Sequence, residues 1–540
     1  ATAAELNKMD GVTVGASDIN SVTSKAPTSG PTFTGTVTIG GTTYPTSDGS
    51  AGQVLTTNGS GAVSFSDPAG GGGQFDAVAS GTIANGALVS LNSDGTVSTI
   101  TALMGAEQEI DGDQIEETAT VYDTNSNKVV VFYISSTNSS RTEAAVGTVS
   151  GTSISFGTPV VLSANNLTQL NATFDSNSNK VIFVARDNSN NHGTSFVGTV
   201  SGTSISFGGP YDFTSSGATS FPFATFDSNS NKVVICYRFH DGSAYTGRCR
   251  VGTVSGTSMS FGTEVQFQNN NVVTDGITFD SNLNKVVILY KHNDDSNKGK
   301  CIIGTVSGTD ISFGTAVAFT TSNSRPQTLT FDSNSNKVVV IYSDATNANY
   351  LVAVVGTVSG TSISFGSKVT IAQDTFTNPA IVFETQNNKV VVAYTDGNSN
   401  DVGRIVAGTV SGTSISFDNI VEFNSRVGYS SMAFDPDTNQ IALSFRAVNN
   451  STKGTTKMVV PKGLSGFFKW IGIASSAISD TATGTINVLG GINESQSSLE
   501  VGSTYYLADT GLLTTTVTSG REVGKALSAT KLLITQGSVT

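Results

Sequence analysis

The chain has 540 residues, with 28 Lys and Arg against 41 Asp and Glu, a formal net charge of −13 and a pI near 4.7. That acidity, without a Lys/Arg cluster long enough to neutralise a row of phosphates, excludes nucleic acid as an expected partner, and the length exceeds what one core organises unless repeats carry it. Only 13% of residues are charged and 58 are Gly, while apolar residues come in short runs such as Val129-Val130-Val131-Phe132-Tyr133, which favours short strands and turns over disorder, long surface helices or a membrane span.

The chain opens at Ala1 with no basic segment followed by an apolar core, so a processed chain or part of a longer one is expected. Thr2 to Met9 suits a short capped helix stopped by Asp10-Gly11, and Ser17-Asp18-Ile19-Asn20 suits another turn, giving a short-helix stalk over 1–30. Residues 31–67 alternate Thr with small apolar residues around Gly turns, as in Thr36-Val37-Thr38-Ile39-Gly40-Gly41. Such a β shaft buries little alone, and self-association, most simply as a trimer, gives its Val, Ile and Leu a place to go. Residues 68–74, with Gly70 to Gly73, form a flexible linker. Residues 75–97 are expected to be half of a small β domain.

The dominant signal is an internal repeat. The motif of an aromatic and an acidic residue followed by a small polar turn recurs at Tyr122-Asp123, Phe174-Asp175, Phe226-Asp227, Phe279-Asp280, Phe331-Asp332, Phe383-Glu384 and Phe434-Asp435. Each turn closes on Lys128, Lys180, Lys232, Lys285, Lys337, Lys389 or Gln440, which opens an apolar run. A second element, Gly-Thr-Val-Ser-Gly-Thr-Ser-Ile-Ser-Phe with single changes, starts at Gly147, Gly198, Gly252, Gly304, Gly356 and Gly408 and has no seventh copy. Four short strands per unit predict an all-β chain whose centre, 94–462, is a seven-bladed β-propeller of four-stranded blades. Asp94 to Ile100 is the candidate for the missing strand, so the ring is expected to close through about 94–104. The Phe of each Ser-Ile-Ser-Phe is read as core, with Phe313→Ala costing roughly 3 to 5 kcal/mol. Residues 463–540, opened by Phe467-Phe468-Lys469-Trp470, complete the small β domain into which the propeller is inserted.

In such blades the first and third turns share one face and are nearly identical among units. The second turns, Ser135 to Arg141, Arg186 to Thr194, Phe239 to Arg248, His292 to Lys300, Asp344 to Tyr350, Asp396 to Arg404 and Ala447 to Lys453, all differ. Loops held by a rigid scaffold are where recognition is usually placed. The candidate ligand-binding residues on this variable face are Arg186, Arg238, Tyr245, Arg325, Tyr350, Arg404, Arg426 and Tyr429, types suited to stacking on sugars and hydrogen-bonding them. Drift in unselected loops is the competing account.

Other chemistry finds little support. Asp175-Ser176-Asn177-Ser178-Asn179 has the first spacings of a calcium loop, but Lys180 stands where Gly is needed and Arg186 where Glu is needed, so a β-turn is expected. His192, His240 and His292 fall in separate second turns, and no metal site, cofactor or catalytic residue is expected. Cys236 and Cys249 flank a turn where a bridge is sterically possible; with only three cysteines, two small buried thiols are the expected state.

Thr2-Ala3-Ala4-Glu5-Leu6-Asn7-Lys8-Met9-Asp10-Gly11-Val12, Pro31-Thr32-Phe33-Thr34-Gly35-Thr36-Val37 and Asp48-Gly49-Ser50-Ala51-Gly52-Gln53-Val54-Leu55 resemble stalk segments of bacteriophage tail fibres, notably from phages of aquatic bacteria. Gly502-Ser503-Thr504-Tyr505-Tyr506-Leu507 with Val523-Gly524-Lys525-Ala526-Leu527 resembles a module of the same proteins. The resemblance covers about 150 flanking residues; the propeller units lack the Gly-Gly of kelch and the Trp-Asp of WD repeats. It implies a homotrimeric, extracellular virion appendage, mounted on other tail proteins through its amino end and contacting a host-surface glycan or outer-membrane receptor. The rival expectations are a purely architectural virion protein and a glycan depolymerase.

Overall fold

The computed structural model describes residues 37–39, 42–45, 54–57, 60–66 and 73–535, apart from 93, 101–102, 322, 374, 462–463, 465–469, 509–510 and 516–521. The expected helical stalk of 1–30 and most of the 68–74 linker lie outside the described residues. Within 31–67, Val37–Ile39 pairs with Thr42–Tyr44 and Val54–Thr57 with Val63–Ser66, both antiparallel.

The repeats form antiparallel meanders. The first runs through Gln108–Asp123, Lys128–Ser135, Arg141–Ser150 and Ser153–Phe156, and the fifth through Arg325–Asp332, Lys337–Asp344, Tyr350–Ser359 and Ser362–Phe365. Successive first strands pack on one another from Gln108–Asp123 to Val427–Asp435, and the last of these packs back on the first. Strands whose two faces are both covered read as continuous apolar runs rather than alternating ones. In the fifth meander Val338, Val340 and Tyr342 join the core shared with Val287 and Leu289, while Val339 and Ile341 join the core shared with Val390 and Val392. One Val-rich strand thus feeds the cores on both sides of its sheet.

The first turns are β-turns built on their acidic residue. Asp332 Oδ1 accepts the amides of Asn334 and Ser335 at 2.9 and 3.0 Å, its Oδ2 accepts the Ser335 hydroxyl, and Asn336 takes φ 55°. Asp175 is held in the same way by Asn177 and Ser178, so its carboxylate serves the turn's own donors.

Closure of the ring falls at the end of the expected segment 94–104, at Leu103 and Met104, and not on the strand expected over Asp94 to Ile100. Val97–Thr99 pairs with Leu88–Leu91 in the small β sheet, not with the last meander. That meander, Val427–Asp435, Gln440–Ala447 and Lys453–Val459, is completed by Met104, bridged to Val459, and by the start of Gln108–Asp123, where Gln108, Glu109 and Gln114 lie opposite Thr456, Thr455 and Lys453. A Cβ on Gly157, Gly208, Gly262, Gly314 or Gly366 would strike the carbonyl of Thr203, Thr257, Thr309, Thr361 or Thr413 in the next unit, and Gly105 stands in the same relation to Thr152. Met104-Gly105 is therefore the counterpart of Phe156-Gly157. Thr-Val-Ser-Thr-Ile mimicked the missing strand, but Leu103-Met104 occupies its place.

A second correction concerns Ser-Ile-Ser-Phe. Ile154, Ile205, Ile311, Ile363 and Ile415 are buried, whereas the following Phe residues are only partly covered at the sheet's outer edge. Loss of Phe313 therefore costs less than expected, about 2 kcal/mol, and Ile311 carries the larger share. The cysteine expectation is also corrected. Cys236 and Cys249 are directly opposite on adjacent strands, with Cα atoms 4.1 Å apart, and are disulfide-bonded, while Cys301 is free and buried.

Outside the meanders, Gln74–Val78, Thr483–Asn487, Trp470–Ala474, Leu88–Leu91 and Val97–Thr99 form one sheet, so segments from both ends of the chain interleave. Ile492–Asn493, Leu532–Ile534, Glu522–Ala526, Thr504–Leu507 and Leu513–Thr514 form another. A single cluster runs from Val391 and Ile405 through Val459 and Leu103 to Trp470, Tyr505 and Ile534, joining the last meanders to both small sheets.

Candidate functional site

Every first strand breaks register in its first half. The breaks fall between Ile115 and Thr118, Thr168 and Asn171, Ser220 and Phe223, Thr274 and Gly276, Pro326 and Thr328, Thr377 and Ala380, and Gly428 and Ser431. A bulge re-aims its side chains and commonly marks a functional position. Gln169, Phe221, Asn378 and Tyr429 sit in these bulges with φ of 59°, 50°, 48° and 48°, a region unfavourable for residues with a Cβ.

Hydrogen bonds between neighbouring units hold this backbone. The amides of Gln169 and Leu170 donate to Glu117 Oε2 at 2.6 and 3.1 Å, and the Phe221 amide donates to Gln169 Oε1 at 2.6 Å. The Thr274 hydroxyl donates to the Phe221 carbonyl, Ser430 to that of Asn378, and Thr118 to that of Tyr429. Burial raises the Glu117 carboxyl above the usual carboxylate range, against the lowering effect of the two amides.

These bulges enclose a cavity of about 240 Å³ lined by Glu117, Gln169, Phe221, Asn378 and Tyr429. A second, of about 610 Å³, shares Phe221, Phe223, Asn378 and Pro379 with it and adds Arg325, Asn349 and Phe376. Asn349 belongs to a second turn, so this cavity extends toward the variable face. Its size lies within the range of small-ligand sites.

The structure gathers some of the expected residues here and not others. Arg238 lies with its guanidinium 4.9 Å from the Phe221 ring and 4.5 Å from that of Tyr245, and Tyr245 stacks on His240. Tyr429 lines the smaller cavity beneath the Arg446 guanidinium, 4.9 Å away. Arg325 lines the larger one. Arg186 faces Thr168, next to the Gln169 bulge, and donates to Asn191 Oδ1. Arg404 and Arg426 are instead engaged by Asp396 at 2.8 Å and Asp401 at 3.7 Å. Tyr350 packs on the core between two meanders.

Glu117, Phe221, Asp275, Lys291 and Arg446 were not singled out from the sequence. A signal existed for two of them: six residues after each turn-closing Lys or Gln stand Ile134, Arg186, Arg238, Lys291, Ser343, Thr395 and Arg446, so cations recur at one repeat position. The bulge residues gave no such signal, because residues as unlike as Glu117, Phe221 and Tyr429 fill equivalent places.

Elsewhere Asp111, Asp113 and Glu143 bring carboxylate oxygens within 4.8 Å of one another. The Tyr133 hydroxyl lies within hydrogen-bond distance of both Asp111 and Glu143, with one proton to donate between them, Ser135 and Asn138 donate to Asp113, and Arg141 pairs with Glu143. These partners account for the cluster as a fastening of the ring-closing strand. The histidines are apart: His192 lies 3.9 Å from Asp212, His240 stacks on Tyr245, and His292 lies 3.4 Å from Lys300. No helix among the described residues is long and apolar enough to cross a membrane.

No family model matches the chain, and no curated protein does. Among solved structures it is similar to the BP39L lectin from Burkholderia pseudomallei, at 12% identity and TM-score 0.48 over 64% of this chain and 97% of that one. It is also similar to the Aleuria aurantia lectin, at 13% identity and TM-score 0.38 over 57% and 97%. A protein of unknown function from Dyadobacter fermentans matches at 9% identity and TM-score 0.39 over 54% and 94%.

Proposed function

We propose that the chain is a non-catalytic glycan-binding adhesin, a seven-bladed β-propeller inserted in a small β domain, that serves as a bacteriophage tail-fibre component and recognises the host surface. The observation that carries the binding reading is the pair of adjoining cavities at the bulged first strands. Their walls combine aromatic faces, Phe221 and Tyr429, with amides and cations, Gln169, Asn378 and Arg325, on backbone held in part by hydrogen bonds between neighbouring units. That mixture of flat apolar surface and convergent polar groups suits a saccharide. The blade number is supported by the seven repeated turns and by first strands that pack in a closed order. Mounting on a trimeric stalk in the virion rests on the resemblance of the flanking segments alone.

A non-catalytic role is favoured over a depolymerase because Glu117, a carboxylate of the smaller cavity, is committed to two backbone amides. A glycosidase would require two carboxyl groups flanking one bond.

The test is flow cytometry of the fluorescently labelled chain on a panel of candidate host cells, with and without periodate oxidation of surface sugars. Binding that is abolished by periodate and weakened about tenfold or more by the Phe221→Ala variant is expected. Periodate-insensitive binding would point to a protein receptor, and absence of binding across the panel would favour a purely architectural role.

A further inference from the structure

Ten arginines occur in the sequence, and Arg521 lies outside the described residues. Arg141, Arg248, Arg250, Arg404 and Arg426 each have a carboxylate within 4.0 Å. Arg186, Arg238, Arg325 and Arg446 form no ion pair among the described residues. All four stand at one level of the ring. Across their ladders Arg186 faces Thr168, Arg238 faces Ser220 and Arg446 faces Gly428, each adjacent to a bulge residue that lines the smaller cavity, and Arg325 lines the larger cavity itself. In a chain with an acidic excess, arginines left without carboxylates in one place are not what random pairing produces.

The desolvation of these groups is incompletely offset. The Nε atoms of Arg186, Arg238 and Arg446 are buried without a hydrogen-bond partner, as are those of Arg250 and Arg404, but only the latter two have a carboxylate within 4.0 Å. Lys291, at the repeat position of Arg238, adds a further cation. Asp275 sits in the fourth bulge with Oδ2 buried and unpartnered, and burial pushes its carboxyl well above the usual range despite Lys291, Arg325 and Arg238 nearby. That carboxyl is therefore a weak counterion for the cations around it. Half-buried guanidinium groups without a carboxylate, such as Arg186, Arg238 and Arg446, and the exposed Arg325 beside them keep donors free for an incoming anion, and bidentate guanidinium–carboxylate pairing is the strongest way to use them.

We propose, resting on the glycan-binding reading, that the adjoining cavities around Phe221 select acidic saccharides, the sugar carboxylate pairing with Arg238 and Arg325 while the sugar ring lies against Phe221. Aromatic and cationic groups meet at this point, since Phe221 borders both cavities and lies beneath Arg238.

The test uses the full chain and three carboxylated polymers, polygalacturonate, alginate and polysialic acid, each beside its carboxyl-reduced neutral counterpart, by titration calorimetry at low and raised salt. At least one acid is expected to bind, its neutral counterpart to bind about tenfold or more weakly, and affinity to fall as salt rises. Arg238→Gln and the more exposed Arg325→Gln are each expected to weaken the acid about tenfold without moving the thermal midpoint. Equal binding of acid and neutral polymers would overturn the selection for acids and leave glycan binding standing. Acid binding unchanged in both variants would place the anion elsewhere and overturn the assignment. Failure of every polymer, together with failure of the cell-binding experiment, would remove both readings.

Discussion

At the scale of single residues, the repeat supplies its own comparisons. Glu117 and Gln169 occupy equivalent bulges and accept the same amide bond from the next unit, one through a carboxylate and one through an amide oxygen. Glutamine performs that task without a charge. Burial raises the Glu117 carboxyl, so the folded protein favours its protonated form more than the unfolded chain does. The resulting stabilisation is complete below the unfolded value and is lost as pH rises through the raised one. Glu117→Gln is therefore expected to be at least as stable as the natural chain at neutral pH, the advantage shrinking as the pH falls toward 4. Urea denaturation of both proteins across that range checks it; an advantage that grows on acidification would contradict the assignment. The aromatic-acidic turns, the Lys or Gln residues that close them and the buried second strands were all legible in the sequence. Apart from Tyr429 the bulge residues were not, nor was the fate of each arginine, because a bulge is set by how neighbouring first strands pack and an ion pair by which loop comes near.

At the scale of elements, the ring-closing segment is the instructive case. Two stretches carried strand-like alternation before Tyr122, and their distance in sequence from the first turn favoured the wrong one. Ile110 and Ile115 are buried in the core that joins the first and last meanders, whereas Val97 is buried with Ala77, Ile83 and Ile486 in the small sheet. Ile110→Asp places an uncompensated charge in the ring seam and is expected to cost about 3 kcal/mol or more and to expose the seam to protease. Val97→Asp is expected to disturb the small sheet while the ring remains protected. Limited proteolysis with mass mapping distinguishes them, and the reverse pattern would restore closure through Val97. Glu109 and Lys453 bridge the same seam at 2.9 Å, but the pair is partly exposed and adds only about 0 to 1 kcal/mol.

At the scale of the whole molecule, the core does not stop at the edge of the ring. The cluster that includes Val391 and Phe445 also includes Leu103, Met104, Trp470, Leu507 and Ile534, so the small sheets are packed onto the last meanders. Trp470 is the chain's only tryptophan and is buried in that cluster. Its fluorescence is expected to report thermal unfolding at the same midpoint as the far-ultraviolet circular dichroism of the meanders, because neither part can lose its half of a shared core unaided. A tryptophan transition several degrees below the main one would show that the two parts unfold independently.

The sequence alone determined the all-β class, the repeat length, the turn chemistry and the contrast between a uniform and a varied face, since each depends on local periodicity and on residues that stabilise turns within a few positions of themselves. Only the tertiary structure decided which segment completes the last meander, that Cys236 meets Cys249 in a covalent bond, and that Arg325 and Phe221 line one cavity with Arg238 over the Phe221 ring while Arg404 and Arg426 lie beside carboxylates. Those outcomes depend on register and on the approach of chain segments that are distant in sequence. Hydrophobic alternation constrains them weakly, because several strand-like stretches satisfy it equally well.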